Sequence, residues 1–159
     1  MDALLNYSER KDTIGYILPR YAAEVDPAGL IMPGLIVARI QSAGNNKELI
    51  WNWARFAGYY GFGFPAWQII ARATVAASEQ LPTRDRDSIY VLLLPQELKS
   101  SSYPAGQMDP RPAEELEIRK RELAGEADES LLPFRKWHLA MAQSEYDQTV
   151  ARYREENDQ

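Results

Sequence analysis

A chain of 159 residues with 45% apolar and 26% charged side chains is long enough to bury a core and has the composition of an ordinary globular domain. Its net charge is −5, and the eight basic and twelve acidic residues of segment 111–159 carry most of the excess, which argues against a broad electrostatic footprint for nucleic acid or anionic lipid. The absence of cysteine excludes disulfides, thiolate nucleophiles and cysteine metal sites.

The opening stretch MDALLNYSERKD lacks a basic segment leading into an apolar run, so no secretion signal is expected, and a cytoplasmic location or one within an assembled particle is the expectation. The apolar windows 30–40 and 62–77 are interrupted by Pro33, Gly34 and Arg39 and by Pro65, Gln68 and Arg72. Neither reaches the roughly 18 uninterrupted apolar residues of a membrane span, so none is expected.

Proline, glycine and cap residues divide the chain into about six helical pieces. A first helix is predicted over 12–25, with Ile14, Ile17 and Tyr21 on one face and a kink at Pro19; Asp26 and Pro27 then read as a cap and first turn. Pro33 starts a short buried helix that stops at Gly44. Asn45 and Glu48 have capping-box spacing, which predicts a helix over 46–60 with Leu49, Trp53, Phe56 and Tyr60 on one stripe and Ile50 and Ala57 beside it.

The next segment, GYYGFGFPAW, reads as the corner of a helical hairpin. Gly61 and Gly63 supply the turn and Pro65 begins the central helix, AWQIIARATVAASEQ, which is apolar on nearly every side. LPTRDRD reads as a polar loop. The run SIYVLLLP fits either a strand or a buried helix, and with no partner strand elsewhere a helix is expected. KSSSYPAGQMDPRP is the longest loop candidate. Pro112 opens a charged helix closed by Gly125, in which Glu115 to Arg119 and Glu117 to Arg121 are i,i+4 pairs on a solvated face. A last helix from Leu132 to Arg154, roughly 30 Å long, carries Leu132, Leu139, Tyr146, Val150 and Tyr153 on a stripe that packs on its own domain or on a neighbouring subunit.

The fold class expected is all-α: a single-domain array of five to seven helices with a central hairpin at about 46–80 and a long C-terminal helix. Residues 1–103 form the hydrophobic core, 104–111 a Pro/Gly loop or hinge, and 112–159 a charged helical hairpin, either part of the same domain or a partner-binding extension. Leu35, Ile36, Ile40, Trp53, Phe56, Trp67, Ile70 and Val91 are expected among the buried residues.

Candidate chemistry is sparse. The sole histidine, His138, has Glu145 as its nearest carboxylate in the charged part of its own helix, two turns away and too far to share an ion, so it reads as structural or exposed. The acidic groups Glu114, Glu115 and Glu117 and Glu126, Asp128 and Glu129 lack the calcium-loop pattern and read as helix surface and caps. No nucleophile elbow, Walker motif or forward dinucleotide fingerprint is present. No catalytic residue, metal or cofactor is therefore expected.

The function expected is that of a non-enzymatic structural or assembly subunit, in a class that includes virion and tail components, with Tyr59, Phe62, Phe64, Tyr146, Val150 and Tyr153 as partner-binding residues. One rival is an accessory nucleic-acid-associated protein using Arg84, Arg86 and Lys99, although Asp85 and Asp87 are expected to neutralise the arginines. The other is a small-molecule-binding enzyme with the aromatic hairpin as its pocket.

Overall fold

The structure is a computed structural model that describes residues 31–95 and 102–158. The predicted helix at 12–25, the Asp26–Pro27 cap, and Lys99 lie outside the described residues. The fold is all-α, with six α-helices among the described residues: α1 (Met32–Ser42), α2 (Lys47–Ala54), α3 (Pro65–Ser78), α4 (Thr83–Leu92), α5 (Arg111–Gly125) and α6 (Leu132–Asn157). The chain forms two compact units, Met1–Gln96 and Glu97–Gln159.

In the first unit, α1 begins with Pro33 in its first turn, where the missing amide proton has no helical acceptor to lose. Met32, Ile36 and Ile40 recur every four residues and form its buried stripe. Gly44, with φ of 61°, takes the left-handed conformation that turns the chain away. The cap of α2 is Asn46, whose side-chain oxygen accepts from the amide of Leu49 at 3.3 Å. Asn45, the predicted cap, lies one residue early, within the turn that follows Gly44. The reciprocal partner of a capping box at Asn46 would be Leu49, which has no polar side chain, so the cap is one-sided.

The predicted helix to residue 60 is regular only to Ala54 and then tightens into a 3-10 turn, Arg55–Tyr59. The inward face runs through Ile50, Trp53, Ala54 and Ala57, and Leu49 is only half-buried. Gly63, with φ of 81°, makes the corner, and Pro65 starts α3. As its composition implied, α3 is central: Trp67, Ile70, Ala71, Ala73, Thr74, Val75 and Ser78 are all buried. The two hydroxyls are satisfied within the helix, Thr74 donating to the Ile70 carbonyl and Ser78 to that of Val75.

The segment expected as a polar loop is instead the start of α4. Pro82 immediately precedes the helix, Asp85 stands in its first turn against the positive end of the dipole, and Ser88 donates to the Asp85 carbonyl. The ambiguous run is therefore helical, and its period decides what it buries. Ile89, Tyr90 and Leu93 point inward, which turns Val91 outward at 50% exposure, contrary to expectation. Ile50, Ala54, Leu81 and Ile89 form one cluster joining α2, α4 and the connection before α4. The Trp67 indole donates to the Leu93 carbonyl at 2.9 Å and ties α3 to the end of α4.

The second unit is a helical hairpin of α5 and α6 preceded by a loop in which Gly106 has φ of 79°. The Asp109 carboxylate accepts from the Arg111 amide at 3.0 Å and grips the Arg111 guanidinium at 2.7 Å. A 3-10 turn, Glu129–Leu131, capped by Asp128, redirects the chain into α6. At 26 residues α6 is roughly 39 Å long. Its buried side chains are Phe134, Arg135, His138 and Ala142, whereas the predicted stripe of Leu132, Leu139, Tyr146, Val150 and Tyr153 is only half-buried throughout. The inward face thus follows Phe134 and His138, four apart, and a periodicity count that admits only aliphatic residues and tyrosines misses it.

Candidate functional site

The residues predicted to meet a partner fall into two sets, one in each unit. At the corner between α2 and α3, Phe62 is half-buried and tilts onto the Trp67 ring at 4.7 Å between centroids. Tyr59 and Phe64 remain 62% and 67% exposed. Each ring has one close neighbour. Tyr59 stacks on Phe56 at 5.6 Å, and Phe64 lies over Gly61 so closely that a Cβ there would stand 2.6 Å from its ring. Gly61 therefore allows the close approach, and a side chain there would displace the exposed ring. Two exposed aromatics projecting from one six-residue turn make a small apolar platform.

In the second unit, Tyr146, Val150 and Tyr153 are half-buried along the C-terminal half of α6. Tyr153 borders a cleft of about 400 Å³ between that end of α6 and the loop before α5, where Tyr103, Arg111 and Arg152 also lie. The Arg111 guanidinium sits 5.7 Å from the centre of the Tyr103 ring.

Of the basic residues proposed for nucleic acid, Arg84 is exposed and Arg86 hydrogen-bonds Thr83 at 3.4 Å. The salt bridge of Asp85 runs to Lys47 of α2 at 3.2 Å, a long-range partner that local charge counting does not reveal. A local neutralisation of the arginines by Asp85 is thus replaced by a clip between two helices.

Sequence reasoning missed a network of buried charge inside the α5–α6 hairpin. Arg119, 6% exposed, hydrogen-bonds Glu115 at 2.7 Å and Glu122 at 2.7 Å. Arg135 of α6, also buried, reaches Glu126 at 3.0 Å and Glu122 at 3.4 Å. Glu122 therefore bridges the two arginines, as a buried cation requires. Burial opposes the Arg119 charge, but the hydrogen bonds to Glu122 and Glu115 outweigh it and hold the guanidinium above its usual range. The face expected to be solvated is therefore inward at Arg119, while Glu117 pairs with Lys120 on the outside.

His138 is the apolar neighbour of this network, packed against Phe134 and Trp137. Its Nε2 lies 3.9 Å from Glu115, a contact that favours the charged ring. Burial wins, with Arg119 and Arg135 adding repulsion, and the pKa falls from 6.5 to about 4. Glu115 is already committed to Arg119, so His138 is neutral near pH 7 and its contact with Glu115 is not an ion pair. The spacing of Glu115, Arg119 and Glu122 on one helix, with Glu126 just past its end, and of Arg135 and His138 on the next carries this signal, but only the meeting of the two faces makes it legible.

No group of three or more His, Asp or Glu side chains placed to hold a metal occurs among the described residues, and no helix among them is long and apolar enough to cross a membrane. Comparison with protein-family models, with curated proteins and with solved structures gives no match.

Proposed function

We propose that the protein is a non-enzymatic structural or assembly subunit of a larger complex, of the kind that builds viral particles and other multi-subunit bodies, acting through helix-mediated protein contacts. The observation that carries this reading is the exposure of Tyr59 and Phe64 on one short turn. Large aromatics are enriched in the cores of protein interfaces because they bury much area at little conformational cost, and preorganised ones lose least on binding. Phe56 and Gly61 are the neighbours that support such preorganisation of Tyr59 and Phe64. The half-buried row Tyr146, Val150 and Tyr153 is a second surface of the same character.

The test is the association state of the intact chain by gel filtration with light scattering, beside a Tyr59→Ser/Phe64→Ser double variant. The intact protein should form dimers or larger species by about 100 μM, and the double variant should weaken that association at least tenfold while keeping its helical circular dichroism. A monomer at that concentration, unchanged by the substitutions, counts against this reading.

A further inference from the structure

Besides that apolar corner, the first unit carries a polar cleft of about 570 Å³ between α2 and the start of α4. Its walls follow from helical spacing. Lys47 and Trp51 stand four apart on α2, as do Glu48 and Asn52, so all four share one face; Asp85 and Ser88 stand three apart on α4. The Lys47–Asp85 ion pair, at 3.2 Å, holds the two walls together, and Ile89 supplies a buried apolar lining.

Trp51 is the unusual member. The fold buries Trp53 and Trp67 almost completely, yet leaves Trp51 39% exposed at the cleft. The Arg55 guanidinium, in the 3-10 turn that follows α2, stands 5.6 Å from its ring centre. A flat aromatic ring stands beside amide and hydroxyl groups that donate and accept hydrogen bonds and carboxylates that accept them.

The charges decide what such a cleft suits. Lys47 and the neighbouring Arg55 balance Glu48 and Asp85, and Lys47 is already paired with Asp85, so the cleft has no net charge with which to attract an anionic or a cationic ligand. The volume lies within the range of small-ligand sites. A neutral ligand with one apolar face and a rim of hydroxyls matches both features. We infer that this cleft binds a neutral saccharide, with one sugar ring stacked on Trp51 and its hydroxyls hydrogen-bonded to Asn52, Asp85 and Ser88. This site is distinct from the Tyr59–Phe64 platform and goes beyond the assembly reading.

The experiment is a nitrogen–proton correlation titration of the intact protein with maltotetraose, cellotetraose and chitotetraose, with adenosine monophosphate as the anionic probe. At least one saccharide should shift the Trp51 indole signal, assigned with a Trp51→Phe variant, in a saturable way at millimolar concentration. Trp51→Ala and Asp85→Asn, followed through the Asn52 side-chain amide, should each weaken binding at least tenfold with circular dichroism unchanged. No saturable shift with any of the three saccharides by about 20 mM, a response to adenosine monophosphate alone, or equal affinity after both substitutions overturns the inference.

Discussion

His138 shows how far a single side chain's behaviour depends on what surrounds it. Its folded pKa of about 4 lies below the ordinary 6.5, so the folded state holds its proton less tightly than the unfolded chain does. As pH falls through 6.5 the unfolded chain takes up a proton that the folded state refuses. Stability is therefore lost between pH 6.5 and about 4, levelling off below that, and the loss is at most about 3 kcal/mol. Because carboxylates titrate in part of the same window, the difference from a His138→Gln variant isolates the effect. Urea unfolding from pH 7.5 to 4 should give a flatter stability profile for that variant. Parallel profiles would mean that His138 is protonated in the folded state or exposed to water. The same residue-scale logic explains Arg119 and Arg135: each is buried only because a carboxylate accompanies it, and Glu122 serves both.

At the scale of the element, caps and prolines decide where helices begin, and side chains remote in sequence decide which face turns inward. Pro33, Pro65 and Pro112 mark helix starts that are legible without any tertiary information, since each stands in a first turn. The α2 cap is a finer matter. Asn46→Ala should cost about 1 kcal/mol, read as a lower urea midpoint, because the amide of Leu49 loses its acceptor, whereas Asn45→Ala should be nearly neutral. The opposite ranking would restore the predicted Asn45 cap. Val91 and the α6 stripe depart from expectation for two reasons. An apolar run of six residues is too short to fix its own phase, and a helix whose inward face contains arginine and histidine hides its apolar period.

For the whole molecule, net charge and apolar surface predict opposite responses to salt. If association runs through Tyr59 and Phe64, raising salt from about 50 to about 500 mM should leave it unchanged or strengthen it. A nucleic-acid accessory protein should instead lose affinity steeply over that range, and Arg84→Glu/Arg86→Glu should abolish nucleic-acid carry-over seen in the absorbance ratio of the purified protein. With −5 overall and Asp85 clipped to Lys47, the expected outcome is salt-tolerant association and an absorbance ratio that the double reversal leaves unchanged.

The sequence by itself determined the all-α class, five of the helix starts to within a residue or two, the central place of α3 and the need for Gly63 at the corner. Each of these rests on local rules: proline geometry, backbone conformation and the density of apolar residues around one helix. Only the tertiary structure decided that TRDRD begins a helix, that Lys47 reaches Asp85, that Trp51 faces a cleft, and that Arg119 and Arg135 are buried with Glu122 between them. Those facts depend on which helix faces meet, and a charged side chain reads the same along the chain whether water or a carboxylate of the neighbouring helix will neutralise it.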